Sequence, residues 1–146
     1  MRVFSLIDSL KLGGPGRGLI QMSKHADAAG FCLDIGNFSY GRDASTEFEE
    51  SFAAAGIPLA SFPQRSSYDP APIRRLVKLI KQRNVDILQS HGYKSHIVAK
   101  AAAIACRKPW VSVSHGWTSE DRKIRVYNAI ERSLVRRADH AIVVSQ

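Results

Sequence analysis

Cysteine is scarce in this chain of 146 residues, which contains only Cys32 and Cys106. They stand far apart, outside any CxxC or Cys/His spacing, which excludes a disulfide framework and a zinc module. Both thiols are expected to act as small apolar residues in a reducing compartment. Long apolar runs are missing too. The opening Met1-Arg2-Val3-Phe4-Ser5-Leu6-Ile7-Asp8 is too short for the core of a signal peptide and is broken by Asp8. The longest helical apolar stretch, around Ile97 to Cys106, falls far below the roughly 20 residues of a membrane span. The expected location is therefore the cytoplasm. No GxxxxGK[ST] occurs, and Gly14-x-Gly16-x-Gly18 fails the GxGxxG spacing, so ATP and nicotinamide-dinucleotide readings both weaken. An aromatic ribonucleoprotein motif and a basic zipper are also absent, which argues against nucleic acid as a partner. No low-complexity stretch or homologous repeat is present.

What remains is a globular composition, 45% hydrophobic and 23% charged. A chain this long buries roughly 70% of its unfolded surface, enough for a core without metal or disulfide. Lys and Arg number 21 against 13 Asp and Glu, a formal charge of +8. That excess predicts an anionic partner: nucleic acid, which the missing motifs argue against, a phosphorylated ligand or an acidic membrane surface. Arg74, Arg75, Lys78 and Lys81 fall on the polar side of one helix, and Arg122, Lys123, Arg125, Arg132, Arg136 and Arg137 on another. Such basic faces are ordinarily solvated, but together they allow peripheral contact with an anionic membrane.

Apolar β-branched runs alternate with helical patterns at a period of about 25 residues. Strands are expected at Val3 to Ile7, Cys32 to Phe38, Ile57 to Phe62, Val85 to Gln89, Trp110 to Ser114 and Ala141 to Val144. Helices are expected from the Gly13-Gly14-Pro15-Gly16 breaker to a stop at Gly30, from Ala44 to Ala55, after Pro70, from Lys94 to Cys106, and from Ser119 to Arg137. Continuous apolar strands joined by helices imply a mainly parallel sheet covered on both faces. The expected fold is α/β and Rossmann-like, doubly wound, with about six strands in the order 3-2-1-4-5-6. Residues 1–146 read as a single domain. Ser145 stands where the next helix would be capped, so the ending is expected to be a truncation.

In such a sheet, ligands bind at the carboxyl ends of the strands, where the strand order reverses. Three features converge on that edge. Gly13-Gly14-Pro15-Gly16 follows the first strand, where glycines and a helix N-terminus suit a diphosphate. His91-Gly92-Tyr93-Lys94 follows the fourth strand and His115-Gly116-Trp117 the fifth. Tyr93 and Trp117 offer flat surfaces with a polar edge, suited to a sugar ring. Glycines that merely turn the chain, hydrogen-bonded structural histidines, and a Trp117 packed under the following helix are the plainer alternatives.

Taken in order, these segments resemble glycosyltransferase family 4. Leu12-Gly13-Gly14-Pro15-Gly16-Arg17-Gly18-Leu19 is similar to that family's Gly-Gly loop and first helix. Asp86-Ile87-Leu88-Gln89-Ser90-His91-Gly92-Tyr93-Lys94 resembles its fourth strand, of the form D-[IV]-[IV]-H-x-H-G-x-K. Pro109 through Trp117, and Arg136 through Ser145, resemble its fifth strand, long helix and sixth strand. The resemblance implies the N-terminal, acceptor-side half of a GT-B fold, with a C-terminal donor-binding domain absent from this sequence. It further implies a retaining transferase that moves a sugar from a nucleotide-sugar donor to a saccharide or lipid-linked acceptor, with no cofactor and no obligatory metal. Residue by residue, Gly13 and Gly14 would approach the donor diphosphate. His115 would be catalytic, and His91, Gly92, Tyr93, Lys94, Gly116 and Trp117 would shape the acceptor pocket. Gly16 stands where the family often has an acidic residue, which predicts a looser start to the first helix. The E-x7-E element belongs to the other domain, so this chain alone is expected to be inactive. The competing reading is a non-catalytic Rossmann-like module that binds a phosphorylated ligand or a partner protein.

Overall fold

The computed structural model describes residues 1–41, 45–66, 69–115, 129 and 132–144. Its elements are β1 (Arg2–Ile7), α1 (Gly14–His25), β2 (Cys32–Ser39), α2 (Glu47–Ala54), β3 (Leu59–Pro63), α3 (Ala71–Arg83), β4 (Ile87–His91), α4 (Tyr93–Cys106), β5 (Trp110–Ser114) and β6 (His140–Val143). The six strands form one sheet in the order β3-β2-β1-β4-β5-β6, and all pairs are parallel. This is the doubly wound order expected from the alternation, with its reversal between β1 and β4.

Strand alternation divides the core in two. Phe4, Leu6 and Leu88 point to one face, where they meet Leu76 and Ile80 of α3 and Val98, Ala99 and Ala102 of α4. Ile7 and Ile35 point to the other face, against Leu19 and Ile20 of α1 and the stacked rings of Phe48 and Phe52. Gly36 sits at the tightest point of the sheet. A Cβ there would come within 2.5 Å of Phe62 and 2.7 Å of Phe4. The same logic gives Gly16, in the first turn of α1, a packing reason. A Cβ at Gly16 would meet Phe48 at 2.9 Å and Leu12 at 3.0 Å, so glycine there lets α1 pack closely on α2.

Two strand boundaries differ from expectation by the same mechanism. Gly56, at φ 70°, ends α2, and the Ile57 and Gly56 N–H groups return to the Phe52 and Ala53 carbonyls. That is a Schellman closure, with Ile57 packed on the aromatic cluster. It withdraws Ile57 from the strand, so β3 begins at Leu59. Asn84, left-handed at φ 52°, ends α3 likewise, and Val85 N–H bonds Ile80 O. Val85 thus belongs to the helix cap, and β4 runs instead from Ile87 to His91. α2 starts later than Ala44 because Thr46 and Glu49 form a capping box. Cys106 packs against the core, but Cys32 is exposed at the start of β2, contrary to the apolar role expected of it. Most of the expected long helix lies outside the described residues, of which 132–135 are helical. No described helix is long and apolar enough to cross a membrane.

Candidate functional site

The carboxyl ends of β1 and β4 open the crevice that the topology predicts. His91 is the last residue of β4, paired between Ile7 of β1 and Val113 of β5. That register holds it almost completely buried, at 6% exposure. Gly92 follows at φ 79°, a left-handed conformation that glycine adopts without strain, and it caps α4. The chain therefore turns directly from strand to helix and leaves the imidazole facing the crevice. His115 directly follows β5.

The two imidazoles meet. His91 Nδ1 lies 2.9 Å from His115 Nε2, and the rings stack at 5.2 Å between centroids. His91 Nε2 lies 3.1 Å from Ser5 Oγ, a hydroxyl in the apolar run of β1. Both ring nitrogens of His91 are therefore engaged. Burial, with the nearby His115 and His96 rings adding repulsion, lowers the His91 pKa from 6.5 to about 3. It is neutral at ordinary pH, and a neutral imidazole has one N–H donor and one acceptor. The tautomer of His91 is thus coupled to the bond it makes with His115.

On the other side of β4, Trp110 Nε1–H donates to Ser90 Oγ at 2.7 Å, and Ser90 Oγ lies 2.7 Å from His96 Nδ1. His96 and Ser90 are fully buried. This second chain of polar contacts supports the strand that carries His91.

Two cavities meet at the histidine pair. One, of about 260 Å³, is lined by Ile7, Asp8, Ser9, Gly13, Pro15, Gly16, His91, Gly92 and His115. The other, of about 550 Å³, is more apolar and runs along Gly14, Pro15, Leu19, Met22, Val113, His115, Ile142 and Val144. The start of α1 faces both. Its cap residue Gly13 supplies no side-chain hydrogen bond, and its first turn holds no acidic residue. The positive end of that helix is therefore left for an outside group. Gly13 N–H is already bonded to Lys11 O at 3.0 Å, which leaves the N–H groups of Gly14 and Gly16 as the donors at this end. Gly13 has φ −88°, and a Cβ on Gly14 would meet nothing within 4 Å. Neither glycine is demanded by its own backbone or by packing, so the tight-turn explanation loses its force.

Lys94 occupies a different place. Its Nζ lies 3.4 Å from Asp8 Oδ2, bonds the Tyr40 hydroxyl, and sits 4.3 Å from the Phe38 and Tyr40 ring centroids. Tyr40 O–H is within 2.7 Å of Asp8 Oδ1. This cluster ties the ends of β1 and β2 to the start of α4, and of its members Asp8 lines the smaller cavity. Tyr93 is exposed on the first turn of α4, and neither it nor Lys94 lines the two cavities. Gly116 and Trp117 lie outside the described residues. Sequence reasoning passed over Ser5, Asp8 and Tyr40. A hydroxyl inside a buried strand, and the residues just past strand carboxyl ends, are the signals that point to them. Among the described residues no group of three or more His, Cys, Asp or Glu gathers to hold a metal.

Comparison with protein families gives one match. The model described as Glycosyltransferase Family 4 matches residues 12–146. No curated protein matches. Among solved structures, the Anabaena HepE structure in complex with UDP superposes with a TM-score of 0.75 at 20% identity, over 99% of this chain and 37% of HepE. A glycosyltransferase from Rickettsia africae gives 0.67 at 19%, over 99% and 36%. A protein described as a putative UDP-N-acetylglucosamine 2-epimerase from Listeria monocytogenes gives 0.62 at 14%, over 95% and 37%. At these identities the likeness shows the fold alone, and an epimerase shares it. This chain spans less than two-fifths of the length of each.

Proposed function

The chain belongs to glycosyltransferase family 4, and from that premise we propose that it is the acceptor-side domain of a retaining GT-B transferase that uses a nucleotide-sugar donor. The observation that carries the reading is the His91–His115 pair at the strand-order reversal, facing the uncapped start of α1. An anionic diphosphate suits the N–H groups of Gly14 and Gly16 and the dipole behind them. His115, at the mouth, is the group that touches the reacting sugar and acceptor. His91, with both nitrogens taken, positions His115 and does not itself bind a ligand through nitrogen. If Ser5 donates to His91 Nε2, then His91 Nδ1–H donates to His115 Nε2, and the tautomer of His115 is set from inside the protein.

The acceptor is a saccharide or a lipid-linked sugar, and the donor sugar is chosen mainly by a second domain. That reading draws support from structures of the same fold solved with UDP and with UDP-glucose. No metal or organic cofactor is required of these residues. Titration of the 146-residue chain with UDP-glucose, followed by backbone amide NMR, tests the proposal. The expected result is weak binding, with shifts centred on the Gly14, Gly16 and His115 amides, and no transfer to any acceptor. Shifts confined to other regions, or robust turnover by this chain alone, would overturn it.

A further inference from the structure

The α1 side of the sheet is covered unevenly. There α1 and α2 pack on Ile7 and Ile35, whereas α3, α4 and Leu134 belong to the cluster on the opposite face. Among the described residues no helix lies over β5 and β6 on the α1 side, although parallel strands are ordinarily buried on both faces. What stands there is the larger cavity at the histidine pair, a trough of about 550 Å³, within the range of small-molecule sites. Leu19 and Met22 of α1 form its wall, and Val113 and Ile142 its floor. Gly14 and Gly18, one helical turn apart, also line it, and a Cβ on either would meet nothing within 4 Å. Gly18 lowers helix propensity and no packing contact requires it, so its effect is to keep the wall flat.

Gln89 points to a ligand independently of that shape. It sits in the middle of β4, registered between Ser5 and Val111, and lines the trough. The residue is 7% exposed. Its side-chain amide has no hydrogen-bond partner among the described residues, yet neither amide atom is sealed from solvent. The opening available to it is the trough. An amide held in apolar surroundings without a partner is costly, and a leucine would fill the same place without that cost. Gln89 lies two residues before His91, roughly 7 Å along the strand, a separation that one sugar ring spans.

We propose that the trough binds an acetamido group, so that the acceptor is an N-acetylated sugar. The proposal rests on the acceptor-side reading and narrows it to that class. A primary amide offers both a donor and an acceptor. An acetamido group answers with its N–H to Gln89 Oε1 and its carbonyl to a Gln89 Nε2–H, and lays its methyl against Met22 and Val113. The sugar ring then reaches towards His115, at the mouth. An alkyl chain would leave the Gln89 amide unpaired, and a plain hexose would set hydroxyls against Leu19 and Met22. An anion would find no Lys or Arg in the lining. The imide edge of a uracil ring offers a similar donor and acceptor without the methyl, and the test separates the two.

The test uses the unmodified chain and four probes: N-acetylglucosamine, glucose, uridine, and octyl glucoside below its micelle concentration. NMR follows the Gln89 side-chain amide and the Met22, Val113 and Ile142 methyl groups. N-acetylglucosamine is expected to shift all of them in one saturable step, about tenfold or more tighter than glucose. Gln89→Leu should remove that preference and leave the urea midpoint unchanged or higher, because an apolar side chain replaces a buried amide. Gly18→Leu suits the helix and fills the trough, so it should weaken N-acetylglucosamine by about tenfold with the fold intact. That variant carries the test if Gln89→Leu fails to fold. N-acetylglucosamine bound no tighter than glucose would overturn the proposal. So would uridine or octyl glucoside moving these signals where N-acetylglucosamine does not, or a Gln89→Leu chain that binds the acetylated sugar as well as the parent does. UDP-glucose reports separately at the Gly16 amide, which lines only the smaller cavity. Loss of acetamido binding with that shift intact leaves the transferase reading standing, and the reverse also holds.

Discussion

His91 enters the folded state as a neutral imidazole with both nitrogens bonded, while in the unfolded chain it titrates near its ordinary value of 6.5. Folding lowers its pKa to about 3, so across that interval the unfolded chain binds a proton that the folded chain refuses. Stability must then rise with pH between about 3 and 6.5 and fall as the solution is acidified. Far inside the window the slope is about 1.4 kcal/mol per pH unit. Integrated from about pH 7 to about pH 5, the loss is about 2 kcal/mol, a large share of the few kcal/mol by which a small domain is stable. Urea unfolding at the two pH values measures it through the change in midpoint at constant m. The companion variant His91→Gln removes the titrating ring, so the wild-type chain should lose about 2 kcal/mol more than the variant over the same step. Equal losses in the two proteins would refute the reasoning, because they would mean that the folded protein accepts the proton at His91 without penalty.

The glycines of the first helix should separate packing from function. Gly16→Ala forces a Cβ to within 2.9 Å of Phe48, and should destabilise by about 1 kcal/mol net of the helix preference it gains, read by urea unfolding. Gly14→Ala meets open space and should leave stability unchanged within about 0.5 kcal/mol, while it weakens UDP-glucose binding in the NMR titration. Thr46→Ala removes the capping box of α2 and should cost about 1 kcal/mol in the same unfolding assay, with faster amide exchange across Glu47 to Glu50. Asp8→Asn leaves the Lys94 ammonium, mostly buried over Phe38 and Tyr40, without its counter-charge; an unfolding loss of about 1 kcal/mol that salt does not abolish is expected.

Strand order was legible because each apolar run is bounded by breakers and each crossover carries a helical pattern. The errors cluster at helix ends. Ile57 and Val85 look like the first residues of strands, since both are apolar and precede an apolar run. Each is instead spent on closing the helix before it, where the left-handed residue brings its N–H back to a carbonyl and its side chain onto the helix face. A pattern read two residues at a time does not separate these uses of an apolar residue. The edge cluster was less legible still. Asp8, Tyr40 and Lys94 are separated by 32 and 54 residues, and only the sheet order brings the ends of β1 and β2 beside the start of α4. Lys94 was picked out because it follows a histidine-glycine pair, yet its ammonium is held by a carboxylate and two rings. Gly16 had no signal at all, since its reason lies in Phe48, on another helix.

The middle of the sheet is where local rules and function pull apart. A parallel strand covered on both faces should be filled with Val, Ile and Leu, yet β4 reads Ile-Leu-Gln-Ser-His and β5 Trp-Val-Ser-Val-Ser. Ser5, Ser90, Ser112 and Ser114 are all buried, and Ser112 Oγ has no partner among the described residues. At Ser5 and Ser90 the hydroxyl gives up apolar contact for bonds of about 1 kcal/mol each, so packing alone does not account for the choice. What the serines provide is position. Ser5 reaches the inner nitrogen of His91, and Ser90 joins Trp110 to His96 across the strand that carries it. A leucine at position 5 would fill the same face of the sheet but leave the inner nitrogen of His91 free to turn or take a water. The sheet thus gives up some apolar packing to fix one imidazole, and through it a second at the mouth of the crevice. A scaffold that served only to hold its own fold together would have no use for that arrangement.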